Sequence, residues 1–298
     1  MNLFEAERYT REQLEAIYDK REASNIADIV LEDVSSLSRI DRLREKEMML
    51  HETQLNQLNQ YIRQLLQHEP VQYVIHKAWF CGMELYVDQR VLIPRPETEE
   101  LVSWIISDSK ASGKDVFIRR PMQADDTTKL KILDVGTGSG CIALALKKNM
   151  PKAEVWGCDV SEEALNVARR NGSLLDIRVD FQGLDFLDLN QQKLLPTVNI
   201  LVSNPPYVPL NNKEQMHQNV VQYEPHTALF VPAHDPLVFY RALAQFGHHR
   251  LYPHGKIYME IHEDLGEEVV ILFENEGYHS IELRKDMQEK DRMVCATI

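Results

Sequence analysis

A chain of 298 residues, 44% hydrophobic and 27% charged, has an ordinary globular composition and suits one large domain plus a smaller one. A formal net charge of −13 argues against a protein whose affinity rests on neutralising phosphates, while leaving room for a local basic groove. Four scattered cysteines, Cys81, Cys141, Cys158 and Cys295, form no C-x-x-C pair, so a reduced, intracellular protein without a zinc site is expected. The segment Met1-Asn2-Leu3-Phe4-Glu5-Ala6-Glu7 lacks a basic and an apolar region of a signal peptide, and no apolar run approaches the roughly 20 residues that span a bilayer. A cytoplasmic protein without membrane contact follows.

Residues 1–70 read as a helical domain. Thr10-Arg11-Glu12-Gln13 fits a capping box ahead of Leu14, Ile17 and Tyr18. Ile26, Ile29, Val30 and Val34 continue at helical spacing, and Ser38 is placed to cap a third helix carrying Ile40, Leu43 and Met48. Leu55, Leu58, Ile62, Leu65 and Leu66 form a 3–4 repeat. The product is a small bundle, either a structural appendage or a docking module for a macromolecule. Pro70 marks a boundary. Val71, Tyr73 and Ile75, then Trp79 and Phe80, then Leu85 and Val87 are spaced as strands around Gly82, which predicts a β-hairpin linker over 71–92. The rest, 93–298, is a second domain. Pro96 suits the first turn of a helix whose positive end Glu97, Glu99 and Glu100 complement. Residues 108–129 are polar and read as a surface loop or insertion.

From Lys131 onward strands alternate with helices. Strands are expected over 131–135, 154–158, 176–182, 199–203, 256–261, 279–283 and 293–298, with helices over 141–148, 162–171, 236–250 and 265–275. The second helix has Ser161 as its cap. The expectation is an α/β fold with a doubly wound, mostly parallel seven-stranded sheet, whose last two strands form an antiparallel hairpin at one edge.

The chemistry gathers at the carboxyl ends of these strands, where ligands of open parallel sheets bind. Asp134-Val135-Gly136-Thr137-Gly138-Ser139-Gly140 ends the first strand and opens a helix. The spacing is G-x-G-x-G, without the final step of the dinucleotide fingerprint. The Asp134 carboxylate would repel a pyrophosphate but suits a cationic ligand such as the aminoacyl end of S-adenosylmethionine. Asp159 ends the second strand, where it can accept both hydroxyls of a ribose or instead cap the next helix. Asp185 and Phe186 follow the third strand. Phe186 can stack on an adenine with Asp185 accepting from its amino group, or it can be a core residue. The fourth strand, Ile200-Leu201-Val202-Ser203, stops at Asn204-Pro205-Pro206-Tyr207. Two prolines fix φ and remove two donors, and Asn204 is pushed toward an extended conformation. The loop offers an amide, carbonyls without competing N–H groups and an aromatic face, a grip for a planar NH2. His248, His249 and His254 lack the partners of a metal site, so no metal is expected. His262 is assigned a supporting place near the active edge.

Asn204 to Tyr207 together with Asp134 to Gly140 resemble the class I S-adenosylmethionine-dependent methyltransferases that modify exocyclic or amide nitrogen, a Rossmann-like fold. Ile93-Pro94-Arg95-Pro96-Glu97-Thr98-Glu99, Tyr223-Glu224-Pro225-His226-Thr227-Ala228-Leu229, Glu260 and Asp291-Arg292 narrow the resemblance to the HemK-type release factor glutamine methyltransferases. It covers residues 70–298, and less specifically the helical domain. Two departures are the 108–129 segment, longer than the family's usual connection, and Phe186, where a tryptophan is often found. The resemblance implies that Gly136, Thr137, Gly138, Ser139, Gly140, Asp159, Asp185, Phe186 and Asn204 bind S-adenosylmethionine, released as S-adenosylhomocysteine. It implies that Asn204, Pro205, Pro206 and Tyr207 hold the substrate glutamine, with Asn204, Pro205 and Tyr207 catalytic.

A carboxamide nitrogen is a poor nucleophile because its lone pair is conjugated. The Asn204 side-chain oxygen and the Pro205 carbonyl can each accept one N–H, which fixes the NH2 plane and stabilises positive charge developing on nitrogen. Tyr207 would add a π face near the cationic centre, and no general base is needed. The expected reaction methylates the side-chain N5 of a glutamine in peptide chain release factors, at translation termination. Alternatives are a glutamine of a ribosomal protein or an adenine-N6 nucleic-acid methyltransferase, which would need base flipping and a basic surface. The expected partner is the release factor, docked by the helical domain, with no direct nucleic-acid contact. A monomer is expected.

Overall fold

A computed structural model describes residues 1–111 and 129–298. In chain order, α1 (Leu3–Leu14), α2 (Lys20–Ser35), α3 (Arg39–Arg44), α4 (Glu52–Leu65) and α5 (Val71–Ile75) precede β1 (Lys77–Phe80), β2 (Met83–Tyr86) and α6 (Pro96–Ala111). Then come β3 (Lys131–Val135), α7 (Cys141–Asn149), β4 (Glu154–Asp159), α8 (Glu162–Leu174), β5 (Asp180–Gly183), α9 (Leu189–Gln192) and β6 (Val198–Ser203). After these come β7 (Val208–Pro209), a 3₁₀ turn, α10 (Gln218–Tyr223), α11 (His226–Leu229) and β8 (Phe230–Val231). The chain closes with α12 (Val238–Arg250), β9 (Leu251–Glu260), α13 (Gly266–Asn275), β10 (His279–Lys285) and β11 (Asp291–Thr297). Of the insertion expected over 108–129, residues 108–111 complete α6, and 112–128 lie outside the described residues. Two units result, Met1–Lys77 with His217–Tyr223, and Ala78–Met216 with Glu224–Ile298.

In the first unit, capping corrects the sequence reading. α1 starts at Leu3 because the Asn2 side chain accepts from the Glu5 N–H while the Glu5 carboxylate accepts from the Asn2 N–H. That box precedes Thr10, and a nucleated helix simply propagates through it. Thr10 is buried mid-helix, its hydroxyl donating to the Ala6 carbonyl at 2.8 Å. Ser38 does cap α3. The core draws Leu3, Ala6 and Leu14 against Ile26, Val30, Leu58, Ile62 and Leu65, but Ile40 and Leu43 stay outside it, 63% and 67% exposed. Val71 to Ile75 is a helix turn, not a strand. The Pro70 carbonyl accepts from Tyr73 and Val74, and burying Val74 in the bundle core outweighs the local β pattern. The hairpin is correspondingly shorter, turning at Cys81 and Gly82, both at positive φ, as a two-residue hairpin loop requires.

In the second unit the seven-stranded sheet runs β10-β11-β9-β6-β3-β4-β5. β5, β4, β3, β6 and β9 are parallel, and β11 lies antiparallel between β9 and β10. The expected doubly wound sheet with its closing hairpin is therefore present. Along β3, Ile132 packs in one core cluster and Leu133 in another, and along β6 Ile200 and Val202 face the first while Leu201 faces the second. Both faces are covered by helices, the condition that makes such strands continuously apolar. The third strand begins at Asp180 instead of 176. α8 runs on to Leu174, and Asp176 at φ 53 turns the chain so that Ile177 donates back to the Gly172 carbonyl. The order reverses between β3 and β6, and there the Ser203 hydroxyl donates to the Val135 carbonyl at 2.8 Å. That reversal opens a crevice at the carboxyl ends of both strands.

Candidate active site

The β3–α7 loop is organised around Asp134. This carboxylate is fully buried, and one of its oxygens accepts from the Thr137 hydroxyl at 2.6 Å and the Ala143 N–H at 3.2 Å. Its other oxygen has no partner among the described residues. Burial pushes the Asp134 carboxyl up to about 7. Four of the loop's N–H groups are already committed. The Gly136 and Thr137 N–H groups donate to the Cys158 carbonyl, Gly138 donates to Asp159 at 2.9 Å, and Gly140 donates to the Thr137 carbonyl. A pyrophosphate wants bare N–H groups, and this turn has spent four of them internally. The glycines divide by role. Gly136 and Gly138 line a cleft, and a Cβ at either would meet no atom within 4 Å. Gly140 does not line it. Its Cβ would lie 3.1 Å from both the Ala168 Cβ and the Phe181 ring, so this glycine serves the packing of α7 on α8 and β5. Thr137 and Ser139 are buried behind the loop.

The cleft encloses about 820 Å³ of empty space, part of it open to solvent. Asp159, Asp185 and Phe186 all line it. The Asp159 carboxylate accepts from the Gly138 and Ser161 N–H groups, each at 2.9 Å. Burial raises its carboxyl against the pull of those bonds. Capping α8 falls to Ser161, whose hydroxyl accepts from the Ala164 N–H. Phe186 answers both readings at once, packed on Phe246 with ring centroids 5.2 Å apart and still part of the cleft wall. Asp185 accepts from the Leu187 N–H at 2.9 Å.

On the other side of the switch point, Asn204, Pro205 and Pro206 line the same cleft. Tyr207 does not. Its ring is set edge-on to His262 at 5.9 Å and its hydroxyl donates to Glu260 at 3.2 Å. Burial raises the Tyr207 phenol above its ordinary range, and the neighbouring Glu260 charge adds to this. Glu260, at the end of β9, also accepts from the Thr98 hydroxyl at 2.6 Å, and Thr98 accepts from the Asn204 side-chain N–H at 3.0 Å.

Sequence reasoning missed several wall residues, among them Arg90, Leu92, Pro225, Thr227, Ala228 and Phe239. Pro225 to Ala228 belonged to a segment that carried the resemblance without a role. The structure supplies one: Glu224, buried, receives the Arg95 guanidinium and the Ile93 N–H, which brings the two flanking segments together. Burial raises the Glu224 carboxyl, and the Arg95 charge opposes it. Asn171 was also missed. Its side chain accepts from the Tyr86 N–H at 2.7 Å and donates to the Tyr86 and Ser139 carbonyls at 3.0 and 2.9 Å, pinning α8 to the hairpin and to the glycine turn.

The chain is 39% identical over 284 residues to a release factor glutamine methyltransferase of Flavobacterium psychrophilum, a match covering 94% of each chain. The chain belongs to the release factor glutamine methyltransferase family. It is also 37% identical to the family member of Bacteroides thetaiotaomicron, covering 97% of each chain, and 36% identical to that of Lactococcus lactis, covering 89% of each. Family models match at two places, the PrmC N-terminal domain at residues 5–75 and the methyltransferase small domain at residues 112–227. Among solved structures, the catalytic domain of hMettl16 in complex with MAT2A 3'UTR hairpin 6 has a TM-score of 0.52 at 11% identity, covering 82% of this chain and 81% of that one, a likeness of fold alone. Family membership bears out the resemblance read from Asn204 to Tyr207 and their flanks. Among the described residues no helix is long and apolar enough to cross a membrane.

Proposed function

We propose that this chain transfers the methyl group of S-adenosylmethionine to the side-chain amide nitrogen of a glutamine in a peptide chain release factor. One observation carries the reading: Asn204, Pro205 and Pro206 share a cleft with Gly136, Gly138 and Asp159, in a chain closely similar over nearly its whole length to proteins of that name. The site's chemistry fits the cofactor. Spent N–H groups in the turn, a half-buried carboxylate at Asp159 and an apolar wall with Phe186 and Leu184 suit a cationic nucleoside better than a diphosphate. When bound, S-adenosylmethionine supplies a sulfonium methyl, an electrophile that needs no acid.

Gly136 and Gly138 let it approach the backbone, Asp159 accepts from its ribose, and Phe186 and Asp185 take the adenine. Thr137, Ser139 and Gly140 act behind them by holding the turn. The Asn204 oxygen and the Pro205 carbonyl would receive the two amide protons of the glutamine and fix the plane of its nitrogen. The same two acceptors stabilise positive charge as it develops on nitrogen. Pro206 stiffens the loop, and Tyr207 anchors it through Glu260. The helical unit docks the release factor, the enzyme acts as a cytoplasmic monomer, and no nucleic acid is contacted directly.

The test incubates the protein with labelled S-adenosylmethionine and either a release factor or duplex DNA. Label enters the release factor at a glutamine. Label entering DNA alone overturns the proposal. Asn204→Ala removes one of the two acceptors and lowers turnover by about 10²–10³-fold, the cost of one missing transition-state hydrogen bond, with the fold intact by circular dichroism.

A further inference from the structure

A carboxamide has two ends of nearly equal shape, one accepting and one donating. For Asn204 to receive an N–H, its oxygen must face the cleft, and nothing within residues 204–207 dictates that. The instruction comes from elsewhere in the fold. The Asn204 side-chain nitrogen donates to the Thr98 hydroxyl at 3.0 Å, and the Thr98 hydroxyl donates to Glu260 at 2.6 Å. A hydroxyl has a single proton. An ionised carboxylate only accepts, so the Thr98 proton is committed to Glu260 and Thr98 turns a lone pair toward Asn204. Only the NH2 end of the amide can satisfy that lone pair. The oxygen is left toward the cleft, and no donor among the described residues engages it.

Burial removes the alternatives. Thr98 is 2% exposed and Glu260 1%, so bulk solvent reaches neither partner, and a mismatched pair there would leave a polar group unsatisfied. The second oxygen of Glu260 takes the Tyr207 hydroxyl, so both ends of the 204–207 loop converge on one carboxylate. Burial raises the Glu260 carboxyl, and the hydroxyls of Thr98 and Tyr207, which both donate to it, together with the nearby charge of Arg292, work against that rise and favour its ionised form.

We propose that Thr98 and Glu260 are positioning residues that lock the polarity of the Asn204 amide, and that this lock is what selects glutamine over its isostere glutamate. The inference rests on the functional reading above. With the lock in place, a carboxylate entering the cleft meets two acceptors, Asn204 and the Pro205 carbonyl, and is repelled. Without it, the Asn204 amide can turn and offer its NH2 to a carboxylate. Sites that hydrogen-bond one polar group discriminate strongly because the wrong group leaves buried partners unpaired.

The experiment uses the full chain, labelled S-adenosylmethionine, a release factor with its target glutamine, and the same release factor carrying glutamate at that position as a competitor. Thr98→Val keeps the shape and removes the hydroxyl. It lowers kcat by about 10–100-fold, the scale of a misaligned transition-state acceptor, while the dissociation constant for S-adenosylmethionine stays near the wild-type value. It also narrows the ratio of the glutamate form's inhibition constant to the glutamine form's KM by about 10-fold or more. Thr98→Ser restores both, because the hydroxyl returns. Glu260→Gln narrows the same ratio, since a Gln amide can present an N–H to Thr98 and release its proton toward Asn204. Thr98→Val or Glu260→Gln is decisive wherever it binds S-adenosylmethionine as wild type does, so a Thr98→Val chain that fails to fold leaves Glu260→Gln to decide. A ratio unchanged from wild type in such a variant overturns the lock alone. Failure of the wild type to label the release factor overturns the functional reading, and the lock falls with it.

Discussion

Two glycines of one turn should fail in different ways when a methyl group is added. Gly140 sits at φ +81, and its Cβ would lie 3.1 Å from the Ala168 Cβ, 3.1 Å from the Phe181 ring and 3.3 Å from Leu144. The left-handed backbone costs an alanine about 1–2 kcal/mol. Ala168 and Leu144 are fully buried and cannot move aside freely, so overpacking adds about 1–3 kcal/mol. Gly140→Ala therefore costs about 2–5 kcal/mol, a large share of a folded domain's ~5–15 kcal/mol. At ~2–4 °C per kcal/mol for a unit of this size, the melting temperature falls by roughly 4–20 °C. Gly138 has φ +53 and open space where its Cβ would be. Gly138→Ala costs only the backbone term, about 1–2 kcal/mol, but its methyl protrudes into the cleft and weakens S-adenosylmethionine. Thermal melts of the ligand-free protein and calorimetric titration with the cofactor separate the two. Gly140→Ala should lose stability, and Gly138→Ala should lose affinity. A Gly138→Ala protein that melts lower than Gly140→Ala, or a Gly140→Ala protein with an unchanged melt, would refute the division between a packing and a lining glycine.

Asn171→Asp keeps the shape but replaces a donor to two carbonyls by an acceptor in a buried position. It should cost about 2–5 kcal/mol, read as a lower urea midpoint, whereas an unchanged midpoint would mean that Asn171 does not tie α8 to the glycine turn. The Asp134 carboxyl, pushed up to about 7, gives the ligand-free protein a pH signature. Between the unfolded value near 3.9 and about 7, the folded state holds more protons than the unfolded chain, so stability falls as pH rises through that window and levels off above it. Asp134→Asn can keep the oxygen that takes both bonds from Thr137 and Ala143. Its urea midpoint should lose that part of the slope between pH 5 and 7.5, and an identical slope in wild type and variant would count against Asp134 as its source.

Much of the site was legible because its features are local. Two prolines end β6 wherever it lies, glycines permit the turn after β3, and alternating apolar runs separated by helices imply a parallel sheet with ligands at its carboxyl edge. Local signals misled where they competed. The capping pattern at Thr10 lost to an earlier one at Asn2, and the β-like spacing of Val71, Tyr73 and Ile75 lost to burial of Val74 in the bundle. What the chain order alone determined about this protein is its sheet, the cleft and the family of its motifs. Only the tertiary structure decided which loop residues face the cleft, putting Gly136 and Gly138 there and Gly140 and Tyr207 behind it. It also decided which way the Asn204 amide points, since that depends on Thr98, 106 residues away, and on Glu260 from another strand. Turn and helix chemistry is set by near neighbours along the chain. A hydrogen bond's direction inside a core is set by whichever donors and acceptors the strand order places side by side.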